Sequence, residues 1–269
     1  AICREEGAEA AIVGVLGGRP IVGMSDAQVE ELLGAASEPR GRNGVAKLNT
    51  GNLGPALFRR EHGATTVSAT MELAAKAGLS VFATGGLGGV HPVAGGREVS
   101  GGQFDISADL HAFTRFPIAV VTSGVKSILD IAATREVLET LGVCVVGYQT
   151  DEFPAFYMRE SDRPGVGRVD ARFDDAAELA RFVRFELARS GRGIVVCNPI
   201  PAEREIAPGD WRKWLAAAEE RAAASGAVGR GVTPAVLGAL HEVSDGATLR
   251  ANIALVESNT RLAAKIAVG

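Results

Sequence analysis

The sequence predicts an α/β fold: one domain built on a central, mostly parallel sheet with helices on both faces. Three observations lead there. Short apolar runs rich in β-branched residues alternate along the chain with longer segments of helical period. Several of those runs end in glycine, the punctuation of a strand passing into a loop. No linker-like change of composition and no internal repeat divides the 269 residues, so one core is expected over 1–269.

Residues 1–7 read as the end of a helix stopped by Gly7. Residues 11–16 form a buried-strand run that Gly17-Gly18 terminates, and 20–24 a second short strand. Ser25 and Gln28 make a capping box, in which each side chain can satisfy a free N–H of the other, and a helix follows to about Ala36. Residues 40–44 are polar and glycine-rich, hence a turn. Residues 45–48 are a strand carrying Lys47, and 49–57, rich in Gly, Asn and Pro, read as loop. A helix is expected over 65–77, stopped by Gly78. Its start, Gly63-Ala64-Thr65-Thr66, offers N–H groups and hydroxyls to an anion, or else is an ordinary N-cap. Residues 80–84 are a strand that runs into Gly85-Gly86-Leu87-Gly88-Gly89, where backbone can approach a ligand closely. This run lacks the dinucleotide-binding glycine spacing.

Residues 92–102 read as a polar loop, and Ser107-Ala108-Asp109 leads into a short helix carrying His111. Residues 117–122 are a buried strand, 134–141 a helix stopped by Gly142, and 143–147 a strand. The segment 151–167 reads as an irregular surface or edge stretch. Residues 176–188 are a helix, 193–197 a strand, and Asn198-Pro199-Ile200-Pro201 a rigid loop. Three helices close the chain: 211–224 with Asp210 as its cap, one opened by Pro234 and ending near Val243, and 248–267.

Composition removes several classes of function. With 46% hydrophobic and 22% charged residues, the chain is ordinary globular material. A net charge of −4 with mixed signs offers no nucleic-acid face, and 5% aromatics offer little for base-stacking platforms. No apolar run of the sequence is long enough to span a membrane, and no signal peptide is expected. Cys3, Cys144 and Cys197 are widely spaced, without metal-ligand spacing to histidine, and the latter two sit in strand-like runs as buried thiols. A soluble protein of a reducing compartment, the cytoplasm, is expected.

The chemistry centres on Lys126, just past Ser123-Gly124 at the C-terminal end of the 117–122 strand. Open α/β sheets place ligands at such ends. Partial burial would lower the pKa of the amine and free it as a nucleophile. A solvated loop lysine is the plain alternative.

Around Lys126 lie, in order, Gly63-Ala64-Thr65-Thr66-Val67-Ser68-Ala69-Thr70-Met71, Phe82-Ala83-Thr84-Gly85-Gly86-Leu87-Gly88-Gly89-Val90-His91, Phe104-Asp105-Ile106-Ser107-Ala108-Asp109-Leu110 and Cys197-Asn198-Pro199-Ile200-Pro201. Together they resemble the pseudouridine-5'-phosphate glycosidase family, also called indigoidine synthase A-like, over essentially the whole chain. The resemblance implies reversible cleavage of the C–C glycosidic bond of pseudouridine 5'-phosphate to uracil and ribose 5-phosphate, with a divalent cation, usually Mn²⁺, in a homotrimer. It implies Lys126 as the nucleophile that bonds to C1' of ring-opened ribose, and Asp105 as the metal ligand. Ser107, Ala108 and Asp109 would touch substrate, with Asp109 also able to move protons. Lys47 and Val67 match two further substrate positions, Lys47 supplying charge for a phosphate. His91 matches a histidine near the site, and Thr84, Asn198 and Asn259 would line the pocket. Alone, each has a plainer reading: Asp105 a helix cap, Lys47 a solvated lysine, Val67 a core residue. His62, His111 and His241 are expected on the surface or as satisfied core histidines.

One departure stands out. The family's general acid is a glutamate in an Ala-Leu-Glu-Ser-Thr-like strand, and no glutamate of this sequence stands in such a motif. The expectation is that this strand precedes Ala1, and that residues 1–269 alone cleave slowly. Two other functions compete: another Schiff-base sugar-phosphate lyase such as an aldolase, and a non-catalytic sugar-phosphate-binding or pigment-biosynthesis accessory protein.

Overall fold

Among the described residues, nine strands sort into two sheets. The computed structural model describes residues 1–36, 44–92, 105–161, 167–224 and 232–269. Strands β1 (Val13–Leu16), β2 (Arg19–Val22), β3 (Val45–Leu48) and β4 (His62–Thr65) make a mixed sheet in the order β2-β1-β4-β3. Strands β5 (Val81–Ala83), β6 (Ala119–Thr122), β7 (Cys144–Tyr148), β8 (Ala171–Phe173) and β9 (Ile194–Cys197) make the second, in the order β5-β6-β9-β7-β8. All its neighbours are parallel, so this is the parallel sheet the sequence predicts. The smaller sheet is an addition to that expectation. β1 and β2 form a hairpin with Leu16 opposite Arg19, and Gly17 and Gly18 turn it at φ 54° and 77°, the left-handed conformation such turns need. β1 is antiparallel to β4, which is parallel to β3.

The helices are α1 (Ile2–Glu5), α2 (Asp26–Ala36), α3 (Leu53–Phe58), α4 (Val67–Lys76), α5 (Ala108–Ala112), α6 (Ile131–Thr140), α7 (Ala176–Ser190), α8 (Pro208–Ala224), α9 (Val232–Val243) and α10 (Ala247–Val268). Period-2 alternation in the parallel strands sends side chains to two apolar layers. Val120, Val145 and Val195 pack with Leu110 and Phe113 of the α5 region and Leu138 of α6. Ala119, Val121, Val146 and Val196 pack with Val183 of α7 and Leu262 and Ile266 of α10. Helices therefore cover both faces, as expected.

Helix α4 joins the two sheets. Its Ala69 and Leu73 pack with Val15 and Leu48 of the small sheet, and its Val67, Met71 and Ala74 with the core of the large one. A helix buried on two sides must be apolar on two sides, and the buried hydroxyls of Ser68 and Thr70 are hydrogen-bonded, Ser68 Oγ to Thr66 Oγ1 at 3.0 Å and Thr70 Oγ1 to Thr65 Oγ1 at 2.9 Å.

Several sequence-based expectations change. The helix expected from Thr65 starts at Val67, because Thr65 completes β4 and Thr66 is the N-cap. Residues 53–57, expected as part of a loop over 49–57, belong to α3, and β4 and β8 were not expected. Asp210 is the third residue of α8 rather than its cap; Pro208 opens the helix. Helix α6 begins three residues early, where the Asp130 carboxylate accepts from Ala133 N at 2.9 Å. The described part of 151–167 is not a surface stretch. Phe153, Ala155, Phe156, Tyr157 and Met158 are buried, and the last four pack with Trp211 of α8, Leu240 of α9 and Leu255 of α10. The capping box holds: Ser25 N donates to Gln28 Oε1 at 2.9 Å and Gln28 N to Ser25 Oγ at 3.4 Å. The turn expected at 40–44 (apart from Gly44), the loop at 92–102 (apart from Pro92) and Phe104 lie outside the described residues.

Candidate active site

Both sheets deliver the C-terminal ends of parallel strands to one cavity of about 990 Å³. β3 and β4 contribute Lys47, Asn49, Thr65 and Thr66; β5 contributes Thr84 and the glycine run; β6 leads into Lys126. Of the residues singled out in the sequence, Lys47, Val67, Thr84, His91, Asp105, Ser107, Ala108, Asp109 and Lys126 all line it.

The loop that carries Lys126 is built to one shape. Gly124 has φ 82°, and a Cβ there would lie 1.8 Å from Pro154 O, so only glycine fits. Lys126 N donates to Leu87 O at 3.2 Å, and Leu87 N to Gly124 O at 2.9 Å, tying the loop to the glycine run. On the other side, Ser127 Oγ donates to Ala155 O at 2.5 Å and accepts from Tyr157 N at 3.3 Å. The amine is largely shut off from water. Burial lowers its pKa, Lys47 lowers it further, and the Asp109 carboxylate opposes both.

Asp109 ties three elements together. Its Oδ1 accepts from Ser68 N at 2.9 Å at the start of α4, and its Oδ2 from Gly88 N at 3.0 Å. Its own N–H donates to Ser107 Oγ at 3.2 Å, the N-cap bond of α5. A Cβ on Gly88 would lie 2.3 Å from Ser107 Oγ and 2.8 Å from Asp109 Oδ2. The glycine run therefore admits this packing. The α4 start still presents Thr65 and Thr66 to the cavity, but its Ser68 N–H already serves Asp109 rather than a bound anion.

His91 and Asp105 stand together, Nε2 to Oδ2 3.8 Å, with Asp105 65% exposed. Among the described residues no group of three or more His, Cys, Asp or Glu could hold a metal ion. One exposed carboxylate fits a hard divalent cation that keeps its waters, the usual arrangement for Mg²⁺-like ions; it does not fit a closed all-protein cage. Burial pushes the Cys144 thiol up to about 11 and the Cys197 thiol higher still, so neither supplies a thiolate.

Asn259 and Asn198 lie behind the cavity rather than in it. Asn259 is fully buried: its Nδ2 donates to Thr84 O at 2.8 Å, and its Oδ1 accepts from Asn198 Nδ2 at 2.9 Å. The amide that faces the cavity from α10 is Asn252, which with Asn49, Glu61, Phe156 and Val256 is among the lining residues the sequence reading missed. His241 Nδ1 meets Thr248 Oγ1 at 2.8 Å, and exposed His111 lies near Thr114, both as expected. His62 differs from expectation: it is half-buried, and its Nδ1 is buried without a hydrogen-bond partner. No described helix is long and apolar enough to cross a membrane.

Comparison with known proteins places this geometry. The family model described as "Indigoidine synthase A like protein" matches residues 1–269. A pseudouridine-5'-phosphate glycosidase of Solibacter usitatus is 45% identical over 266 residues, covering 98% of this chain and 83% of the relative. One from Nocardioides sp. is 46% identical, covering 99% and 81%. Among solved structures, an indigoidine synthase A-like protein of Thermotoga maritima shares 37% identity at a TM-score of 0.83, covering 99% of this chain and 82% of its own. The prealnumycin C-glycosynthase AlnA, solved with ribulose 5-phosphate, shares 34% identity at 0.83 with the same coverage.

Proposed function

The chain belongs to the indigoidine synthase A-like family, and from that premise we propose that it cleaves the C–C glycosidic bond of pseudouridine 5'-phosphate, reversibly, to uracil and ribose 5-phosphate. The observation that carries the reading is the buried Lys126 amine, held in a cavity large enough for a nucleotide and lined by Lys47, Thr65 and Thr66, groups suited to a phosphate.

A C–C glycoside has no heteroatom leaving group, so the two-carboxylate route of ordinary glycosidases does not suit it. In the proposed course the C1'–O4' bond of the ribose breaks, O4' taking up a proton, and Lys126, as the neutral amine, loses a proton as its nitrogen bonds to C1' of the opened sugar. The nitrogen lone pair then forms C=N as the C1'–base bond breaks. The electron pair of that bond goes to the base carbon, which takes up a proton, and uracil leaves. Water adds to the iminium and returns the amine with ribose 5-phosphate. Splitting one difficult scission into addition, fragmentation and hydrolysis lowers each barrier. Asp109, fixed by two N–H donors, faces Lys126 as the counter-charge when the nitrogen is cationic. His91 and Asp109 are the nearby groups able to carry protons. Asp105 would hold a divalent cation such as Mn²⁺, which supplies positive charge toward substrate oxygens when bound. Asp105→Asn should then lower metal content sharply at equal loading; unchanged content removes Asp105 from that role. The homotrimer the resemblance implies belongs to the same reading.

The decisive experiment supplies pseudouridine 5'-phosphate and follows uracil, then supplies ribose 5-phosphate with borohydride and maps the modified peptide. Uracil release with label on Lys126 is expected. Aldehyde products without uracil would favour an aldolase-like lyase; label elsewhere would remove Lys126 as nucleophile.

A further inference from the structure

We infer that Phe156 is a specificity-determining residue whose ring forms the wall against which the flat base of the substrate rests, an inference that stands on the glycosidase reading above. Four observations support it. Phe156 lines the cavity that holds Lys126. Its backbone sits at φ 63°, a left-handed conformation that is unfavourable for a residue with a side chain. Such strain persists where the surroundings over-determine it, and it clusters at ligand sites. Here Phe156 N donates to Ser123 O at 2.9 Å, the adjoining Ala155 N donates to Met158 O at 3.0 Å, and the Tyr157 ring packs edge-on at 4.6 Å. Finally, a Cβ on Gly86 would lie 2.5 Å from the ring, so the glycine run is open at the place where the ring enters.

A core that wanted only apolar bulk would be served by a leucine in relaxed backbone. This site instead strains the backbone to set a planar ring beside a glycine that also lines the cavity. Next to it, Gly85 lies close to Asn252 and Val256, and a Cβ there would be 3.2 Å from Asn252 Oδ1. A ring, an amide and a valine thus gather beside the glycine pair, while the cationic and hydroxyl groups of Lys47, Thr65 and Thr66 come from the small sheet. A planar base with lactam edges suits the first group, a phosphate the second.

The test separates the base side from the sugar side. Uracil release from pseudouridine 5'-phosphate is measured beside borohydride-trapped adduct formation with ribose 5-phosphate, which carries no base. Base–aromatic contacts are worth about 1–3 kcal/mol, so Phe156→Leu should raise KM for the nucleotide about tenfold. Adduct formation with ribose 5-phosphate should stay within about twofold of wild type on the same reasoning. Phe156→Tyr, which keeps the ring, should resemble wild type in both. An unchanged KM in Phe156→Leu overturns the inference, as does a parallel loss of both activities or of the folded state, which would make the ring a packing element. A wild-type chain that releases no uracil overturns the glycosidase reading itself; an active wild type indifferent to Phe156→Leu overturns this inference alone.

Discussion

Removing water from the Lys126 amine favours its neutral form, Lys47 adds to that, and Asp109 works against both. Adduct formation should therefore rise with pH along a limb that lies below the ordinary lysine range. Lys47→Met removes a like charge and should move that limb to higher pH; a limb that stays put would show that the Lys47 charge does not reach the amine. The same burial has a stability consequence. The folded-state pKa lies below the unfolded one, so at any pH below it the fold bears the full cost of the buried charge. That cost begins to fall as pH rises through the folded-state pKa, where the fold sheds its proton first, and is gone above the unfolded-state pKa. Lys126→Met should thus raise the melting temperature at pH 7, by about 2–4 °C if about 1 kcal/mol is recovered. A drop would mean the amine's contacts outweigh its desolvation. Lys126 was legible in the sequence because a strand, a Ser-Gly break and a lysine fall in that order. Asn259 was misread, although the period of α10 could have corrected it. Thr248, Ala251, Leu255, Asn259, Leu262 and Ile266 are all buried and follow the three-and-four spacing of one face, so Asn259 belongs to the core stripe and Asn252 to its edge.

Between elements, Asp109 does what no single helix or loop could do alone. One carboxylate accepts N–H groups from α4 and from the glycine run, and α5 holds its backbone through Ser107. Asparagine can accept only one of those two bonds, and its NH₂ would confront the other N–H donor. Asp109→Asn should cost about 1–3 kcal/mol, the usual penalty for an unsatisfied buried donor, visible as a lower urea midpoint, and should slow uracil release as the glycine run moves relative to Lys126. Full stability with lost activity would instead confine Asp109 to chemistry. The elements the sequence hid were those whose residues suit their structure poorly. His62-Gly63-Ala64-Thr65 has little β propensity, yet β4 lies between β1 and β3, and Gly63 leaves room for Leu48, whose Cδ1 would lie 2.1 Å from a Cβ there. α3 contains Gly54 and Pro55, helix breakers tolerated in a first turn. β8 is three residues long at the sheet's edge, too short for any period to show.

At the scale of the molecule, the cavity is a joint. Lys47, Thr65 and Thr66 belong to the small sheet and its exit; Thr84, the glycine run and Lys126 belong to the large one; α4 packs between the two. The parallel sheet was legible because each of its central strands is a continuous apolar run. The second sheet was not, because pairing across β1, β4 and β3 depends on contacts between segments far apart in sequence. A ligand whose phosphate meets the Lys47 end and whose carbon bonds near Lys126 would bridge both sheets. Ribose 5-phosphate at about 100 times its dissociation constant should therefore stabilise the fold by about 2.7 kcal/mol, or about 5–10 °C in a domain of this size. Hydrogen exchange should slow in two places at once, at 45–48 with 65–68 and at 123–127. Inorganic phosphate, which can occupy only one end, should protect the first region and leave the second at its unliganded rate. Lys126→Met should keep the phosphate effect and lose most of the protection at 123–127. If ribose 5-phosphate protects one region only, in wild type and variant alike, the sugar phosphate does not span the joint.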